Sequence, residues 1–477
     1  MSSISTAVKA LLHTSLGTGL ISIPFFYKNN GILLAVTLLT FSYMMSLIGL
    51  LLQCQLSNWL YSLQKNKKLS FKSLGDILLE NQNDSVVLFD VAIAIKCFGV
   101  SLSYLIVIGD LMPQIIHFFA PDLHISRVIF ISISLFFIIL PLCFIKKISS
   151  LKKFSMIALI SVVYLCFMII GNYFFATGLD KGKIYWTKPN KSYNDTNFLT
   201  SFPISVFAFT CQHNTFSIFN ELKKPGFHNF AKVVTGAMSL ALIIYLTVGT
   251  LGYLTFGDLV ESNIIKMYDM STVFNVLGRF CIVVLVTLAY PLQMYPCRLS
   301  IHNIINHFHQ KKNKSNTNNN NENSNKKNYT PATSESSTLL NEEELNLEQQ
   351  IVSTHLEIPK MQFNIITLSV IILGFLISIS LTNLGLVLSF IGGTGSTLIA
   401  FILPGFFSYL LFKRLEEDEN DGSFVKKLIA DDSLSVDSTI TQVGSIKKWK
   451  LLSIALIIYG GIVVIFANAG IIYKITH

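Results

Sequence analysis

Apolar residues run along this chain in long stretches, and polar residues gather between them. A helix crossing the hydrocarbon core of a bilayer needs roughly 20 apolar residues. That pattern predicts about eleven spans: Ile4–Phe26, Ile32–Leu60, Val86–Phe119, Ser126–Ile145, Phe154–Thr177, Phe198–Asn220, Ala231–Phe256, Thr272–Ile301, Phe363–Leu381, Leu384–Phe412 and Leu451–Tyr473. The ninth and tenth are divided near Thr382 and Asn383. The expected organisation is 4–301 for helices one to eight, 302–361 for a linker, 362–412 for helices nine and ten, 413–450 for a second loop and 451–473 for the last helix.

Two runs carry polar residues inside them. The first reads ALLHTSLGTGLISIPFFYKNNGI and holds His13, Thr14, Ser15, then Gly17, Thr18 and Gly19, then Pro24. Non-helical backbone survives at membrane depth only where protein shields it or it lines a cavity. This run is therefore a candidate binding site, or else a close-packed helix whose glycines let a neighbour approach. The sixth run, SFPISVFAFTCQHNTFSIFNELKKP, places Thr210, Cys211, Gln212, His213 and Asn214 in succession. On a helix these would cover every face. Either the span unwinds there and lines an aqueous cavity, or the five form a hydrogen-bonded cluster between packed helices.

The two interruptions lie five helices apart. That spacing is expected of an inverted repeat of two five-helix halves, with the discontinuous helices meeting near the bilayer midplane. The fold class is thus an all-α polytopic membrane protein of about eleven transmembrane helices: a five-plus-five inverted-repeat core plus one C-terminal helix. Freed amides suit an anionic group and freed carbonyls a cation, so a small zwitterion such as an amino acid fits the pair.

Composition supports the class. Of 477 residues, 51% are hydrophobic and only 13% charged, against about 25% charged in globular domains. The net charge of +9 does not indicate nucleic acid, because the basic residues sit in short loops where they set topology. Lys65, Lys67, Lys68 and Lys72, then Lys146, Lys147, Lys152 and Lys153, then Lys223, Lys224 and Lys232, then Lys413 and Arg414, place the N-terminus inside and the C-terminus outside. The loop from Gly178 to Asn197 would face outward; its lysines count against this, and its glycosylation-type triplets at Asn190 and Asn194 favour it. The first apolar run lacks a basic leader and is expected to remain in the mature chain. The seven cysteines lie in apolar runs without metal spacing. Residues 302–361 are asparagine-rich and then acidic, and they are expected to be disordered. This linker and the 413–450 loop are solvated connections or sites for phosphorylation or a partner.

Few residues remain to carry chemistry. Lys96 and Asp110 are charges inside the third run. They are fourteen residues apart, about 20 Å along a helix, so they cannot pair. In the eighth run Thr287 is expected to bond back to its own helix and Arg279 to snorkel. No enzyme constellation and no nucleotide site appears.

FAFTCQHNTFSIFNELKKP, GYLTFGDLVESNII and VTLAYPLQMYPCR, with GTGLISIPFFYKNNGI and LGLVLSFIGGTGSTLIAFILPGFF, resemble the amino acid/auxin permease family. The likeness extends to its sodium-coupled neutral amino acid transporter branch and to fungal vacuolar amino acid exporters, and it covers every span. The resemblance implies an APC-type fold and secondary transport of amino acids, neutral ones being the family default. It implies substrate binding at Leu16, Gly17, Thr18 and Gly19 and at Phe209, Thr210 and Cys211, with Thr287 a sodium ligand if sodium is the coupling ion. One departure stands out: His13 occupies a position where sodium-coupled relatives carry asparagine. Imidazole is a poor sodium ligand and titrates near neutrality, which favours protons, with His213 a second protonatable candidate. The expected partners are an amino acid and the bilayer, with H+ or Na+ as coupling ion, no other cofactor, no nucleic acid and a monomeric chain. The expected location is a vacuolar, lysosomal or plasma membrane. A non-transporting amino acid sensor is the competing function.

Overall fold

The structure, a computed structural model, describes residues 2–63, 69, 71–79, 83–123, 125–145, 148–176, 180–187, 197–322, 358–418 and 446–476. It is a helical bundle. In chain order the helices are α1 (Ile4–Ser15), α2 (Thr18–Asn30), α3 (Ile32–Leu63), α4 (Phe71–Leu78), α5 (Asn83–Phe119), α6 (Arg127–Cys143), α7 (Ile148–Phe175), α8 (Asn197–Ala208), α9 (Thr215–Phe219), α10 (Phe227–Phe256), α11 (Val273–Glu322), α12 (Lys360–Ser380), α13 (Leu384–Glu417) and α14 (Ile446–Thr476). Among the described residues eight helices are long and apolar enough to cross a membrane, or nine if α1 and α2, bent by 55°, count as one broken span. The fourth and sixth expected spans are present as shorter pieces. α6 belongs to the apolar helices of 10–17 residues, and the sixth run is divided into α8 and α9. The ninth and tenth runs part where expected, with Leu381 ending α12 and the Asn383 side chain capping α13 through the Leu386 N–H.

Other boundaries differ from the sequence reading. α4 forms within a stretch read as loop. α11 continues past Ile301 to Glu322, with His302 buried and Asn303 donating to Asp90 across 3.2 Å. Residues 323–357 of the linker and 419–445 of the second loop lie outside the described residues, as do Asn190 and Asn194.

The core of the bundle runs through α2, α5, α8, α10 and α11. α11 packs along α5 and α7, α2 against α8 and α10, and α13 against α8 and α14. Small residues set the closest approaches. Gly249 and Gly252 of α10 face Tyr27 and Pro24 of α2, and Gly392 of α13 lies on the Pro203 carbonyl of α8. Side chains such as Phe137, Phe167, Phe175 and Ile465 point outward and exposed, as apolar residues do where lipid is the solvent.

At one end of the bundle the start of the chain is strapped to the segment after α9. The Ser2 N–H donates to the Glu221 carbonyl at 2.6 Å, and the Lys223 N–H donates to the Ser2 carbonyl at 3.1 Å. Nearby, the Asn220 side chain accepts from the Leu69 N–H and donates to the Leu69 carbonyl.

Candidate functional site

The first break lies at Leu16 and Gly17. Leu16 leaves the helix with extended geometry (φ −83°, ψ 99°), and Gly17 follows at φ −144°. Neither residue is left-handed, so handedness does not demand glycine at 17. Space is tight rather than closed: a Cβ there would stand 3.3 Å from the Tyr104 hydroxyl of α5, the far end of a side chain. α2 then starts without a side-chain cap, leaving its first N–H groups without that partner. Thr18 is fixed instead by a 2.9 Å hydrogen bond with Ser103.

The second break runs through Phe209, Thr210 and Cys211 and closes in a short 3-10 turn, Gln212–Asn214. Its freed groups are met largely by side chains. Ser46 donates to the Phe209 carbonyl at 2.8 Å, and Gln212 donates to Ser46 at 2.8 Å while accepting from the Cys211 N–H at 2.9 Å. Thr210 bonds back to Val206 at 2.7 Å, and Thr215 donates to Gln53 at 2.9 Å. The span is thus unwound, and its polar residues are also a hydrogen-bonded cluster. The unwinding expected under one alternative and the hydrogen-bonded cluster of the other are both present.

The breaks meet. A Cβ on Gly19 would lie 3.3 Å from the Ala208 Cα, so the glycine also serves close approach. Asn214 donates to Thr14 at 3.3 Å. Between the breaks stands Tyr245 of α10, fully buried, with its hydroxyl 2.7 Å from the Ser15 carbonyl and 2.8 Å from the Ala208 carbonyl. These are the last carbonyls of α1 and α8. The Phe209 ring packs edge-on against Tyr245, with centroids 5.2 Å apart.

The structure therefore brings Leu16, Gly17, Thr18 and Gly19 together with Phe209, Thr210 and Cys211, as neighbouring backbone breaks. His13 is buried on α1, and its Nε2 has no hydrogen-bond partner among the described residues. His213 is buried in the second break beside Lys96. Thr287 is buried on α11; the expected bond back to its own helix is not formed among the described residues, and no hydrogen bond ties it to either break.

The charged residues correct the sequence reading in one case. Arg279 does not snorkel: it is wholly buried, donating to Gln114 at 2.7 Å, to the Asn275 carbonyl at 3.3 Å and to the Tyr268 carbonyl. A guanidinium so fully engaged has no need of the interface. Asp110 faces Arg127 at 3.5 Å, and Lys96 faces His213 and Gln293. Sequence reasoning missed Tyr245, Tyr104, Ser46 and Gln53, each an isolated polar group on an apolar helix.

Comparison with known proteins gives this arrangement a context. A family model described as "Transmembrane amino acid transporter protein" matches residues 1–424. "Vacuolar amino acid transporter 5" of Saccharomyces cerevisiae is 36% identical over 485 residues, covering 99% of this chain and 98% of the relative. "Vacuolar amino acid transporter 6" of the same yeast is 39% identical over 421 residues, covering 86% and 90%. "Sodium-coupled neutral amino acid transporter 7" of Rattus norvegicus is 30% identical over a shorter stretch, 43% of this chain and 46% of the relative. Among solved structures, the nucleobase-cation-symport-1 family transporter Mhp1, in a closed conformation with bromovinylhydantoin bound, superposes with a TM-score of 0.53 at 10% identity, over 99% of this chain and 96% of that one. At that identity the likeness speaks for the fold alone, the five-plus-five core that the paired breaks implied. The chain belongs to the transmembrane amino acid transporter protein family, as a multi-pass membrane transporter rather than an enzyme.

Proposed function

We propose that the protein is a secondary active transporter of neutral amino acids in a vacuolar membrane, working by alternating access and driven by protons rather than sodium. The observation that carries this reading is the meeting of the two breaks around Tyr245. An amino acid has a carboxylate and an ammonium a few ångströms apart. The uncapped start of α2 suits the carboxylate, and the carbonyls of Ser15 and Ala208 suit the ammonium. The site residues are Leu16, Gly17, Thr18, Gly19, Phe209, Thr210 and Cys211.

One feature favours protons. His13 presents a buried imidazole where sodium coupling would call for a hard oxygen ligand. The names of the two yeast relatives support the vacuolar location.

The test is uptake of radiolabelled neutral amino acids by proteoliposomes holding the full chain, with a pH gradient or a sodium gradient imposed separately. Saturable accumulation with the pH gradient in sodium-free medium is expected. Accumulation that requires sodium at fixed pH would overturn proton coupling, and binding without flux would point to a sensor.

A further inference from the structure

Lys96 lies within α5 and is 2% exposed. Among the described residues no aspartate or glutamate is within ion-pairing distance of it. An ammonium held out of water without a counter-charge is costly, so its surroundings matter. Its Nζ is 3.1 Å from Nε2 and 3.2 Å from Nδ1 of His213, and it donates to Gln293 Oε1 of α11 at 3.3 Å. On its other side Gly395 of α13 presses on the Lys96 backbone: a Cβ there would come within 2.8 Å of Lys96 Cβ and 2.9 Å of its nitrogen. Gly395 belongs to a π-helical turn, Gly392–Ser396, a local irregularity often found at functional sites. The second break and α11 thus converge on the amine, and α13 packs on the backbone that carries it.

The ionisable groups facing it are few. Its own helix offers Cys97, and the sixth span offers Cys211 and His213. α11 offers Cys297, whose thiol is directed at the Ala94 carbonyl. Arg298 on the same helix is engaged with Cys143 and Thr367. From the π-turn only the Thr394 and Ser396 hydroxyls are near in sequence, and neither is ionisable near neutrality. None of these groups supplies a carboxylate. Two bases 3.1 Å apart in a dry interior hold one proton readily, and a second is strongly opposed by like-charge repulsion.

We propose that Lys96 and His213 carry the coupling proton between them, as a pair that holds a single proton beside the second break. This rests on the proton-driven reading above and adds the residues that do the carrying. The proton joins one of the three nitrogens as an N–H bond and leaves from it; no other bond forms or breaks. When the pair is charged it places one positive charge next to the break and leaves it without an internal anion. A substrate carboxylate held at the start of α2 is attracted by that charge through the low-dielectric interior without touching it, so proton and substrate bind more tightly together than apart.

The experiment has two arms. In the first, lysine side chains of the purified full chain are labelled with 15N and followed by NMR, with Lys96→Met assigning the Lys96 signal. The expected signal moves from ammonium to amine between about pH 5 and about pH 9, below the ordinary lysine range, and in His213→Leu, which removes the neutral acceptor that shares the proton, its midpoint falls by about one pH unit or more. A Lys96 signal that stays ammonium throughout, or a midpoint that does not fall in His213→Leu, overturns the pair. In the second arm, Lys96→Arg, confirmed as folded by its thermal transition, is compared with the unaltered chain in proteoliposomes. Arginine keeps the charge and cannot release it, so stimulation of uptake by a pH gradient is expected to vanish. Undiminished stimulation in Lys96→Arg overturns the inference while leaving the proton reading intact. Absence of stimulation in the unaltered chain overturns the proton reading itself.

Discussion

Tyr245 has one hydroxyl hydrogen and two carbonyls to serve. In the structure it is shared between the ends of α1 and α8, so one carbonyl is always incompletely satisfied. Tyr245→Phe removes the one donor that links them among the described residues, at a cost of about 1–3 kcal/mol. The expected result is a lower thermal transition in detergent together with weaker amino acid binding, read by scanning fluorimetry with and without substrate. Binding of unaltered strength would separate the tyrosine from the site. Residues of this kind are hard to see in a sequence. His13, Gly17, Thr210 and His213 stand out because they interrupt apolar runs. Tyr245 sits in ALIIYLTVG, where an aromatic ring looks like core packing, and its task depends on carbonyls that only a broken helix sets free.

Among the elements, α13 and α8 touch through a glycine. Gly392 lies directly on the Pro203 carbonyl, and any Cβ there would overlap it. Backbone cannot give way as a flexible side chain can, so Gly392→Ala must push α13 away from α8 or fail to fold. Gly461 of α14, by contrast, has nothing within 4 Å of a built Cβ, and alanine there is expected to gain about 0.5–1 kcal/mol of helix propensity. Thermal unfolding of the two variants side by side should show a loss of several degrees for Gly392→Ala and none for Gly461→Ala; equal transitions would refute the close contact. The long spans could be read from hydropathy because length and apolarity are local properties. The break in the sixth span could be read as well, since five consecutive polar residues cannot all avoid lipid on one helix. The burial of Arg279 could not. Its acceptors come from Gln114, Asn275 and Tyr268, two of them outside its own helix. α4 was hidden for a related reason, lying in a lysine-rich stretch that reads as loop.

For the whole molecule, the membrane class followed from composition and the repeat from two breaks five spans apart. The limits of the linker did not, because α11 carries its helix beyond the apolar run. The strap at Ser2 also escaped the sequence, as a pairing of residues more than two hundred positions apart. It ties the start of α1 to the segment after α9, and Asn214, in the turn before α9, donates to Thr14 near the end of α1. The two half-helices on this side of the site are therefore joined at both of their ends. Ser2→Pro deletes the N–H that Glu221 accepts. Backbone amides of α1 are then expected to exchange with deuterium about five- to tenfold faster by mass spectrometry, the effect of losing about 1 kcal/mol of local stability. Unchanged exchange would show that α1 does not depend on the strap.

The same strap has a practical side for anyone handling the protein. A purification tag or fluorescent reporter fused directly ahead of Ser2 must leave beside the Ser2–Glu221 pairing. Its attachment point is a dozen or so residues from the first break. Moving the tag away from this pairing is the direct control on any activity measured with it.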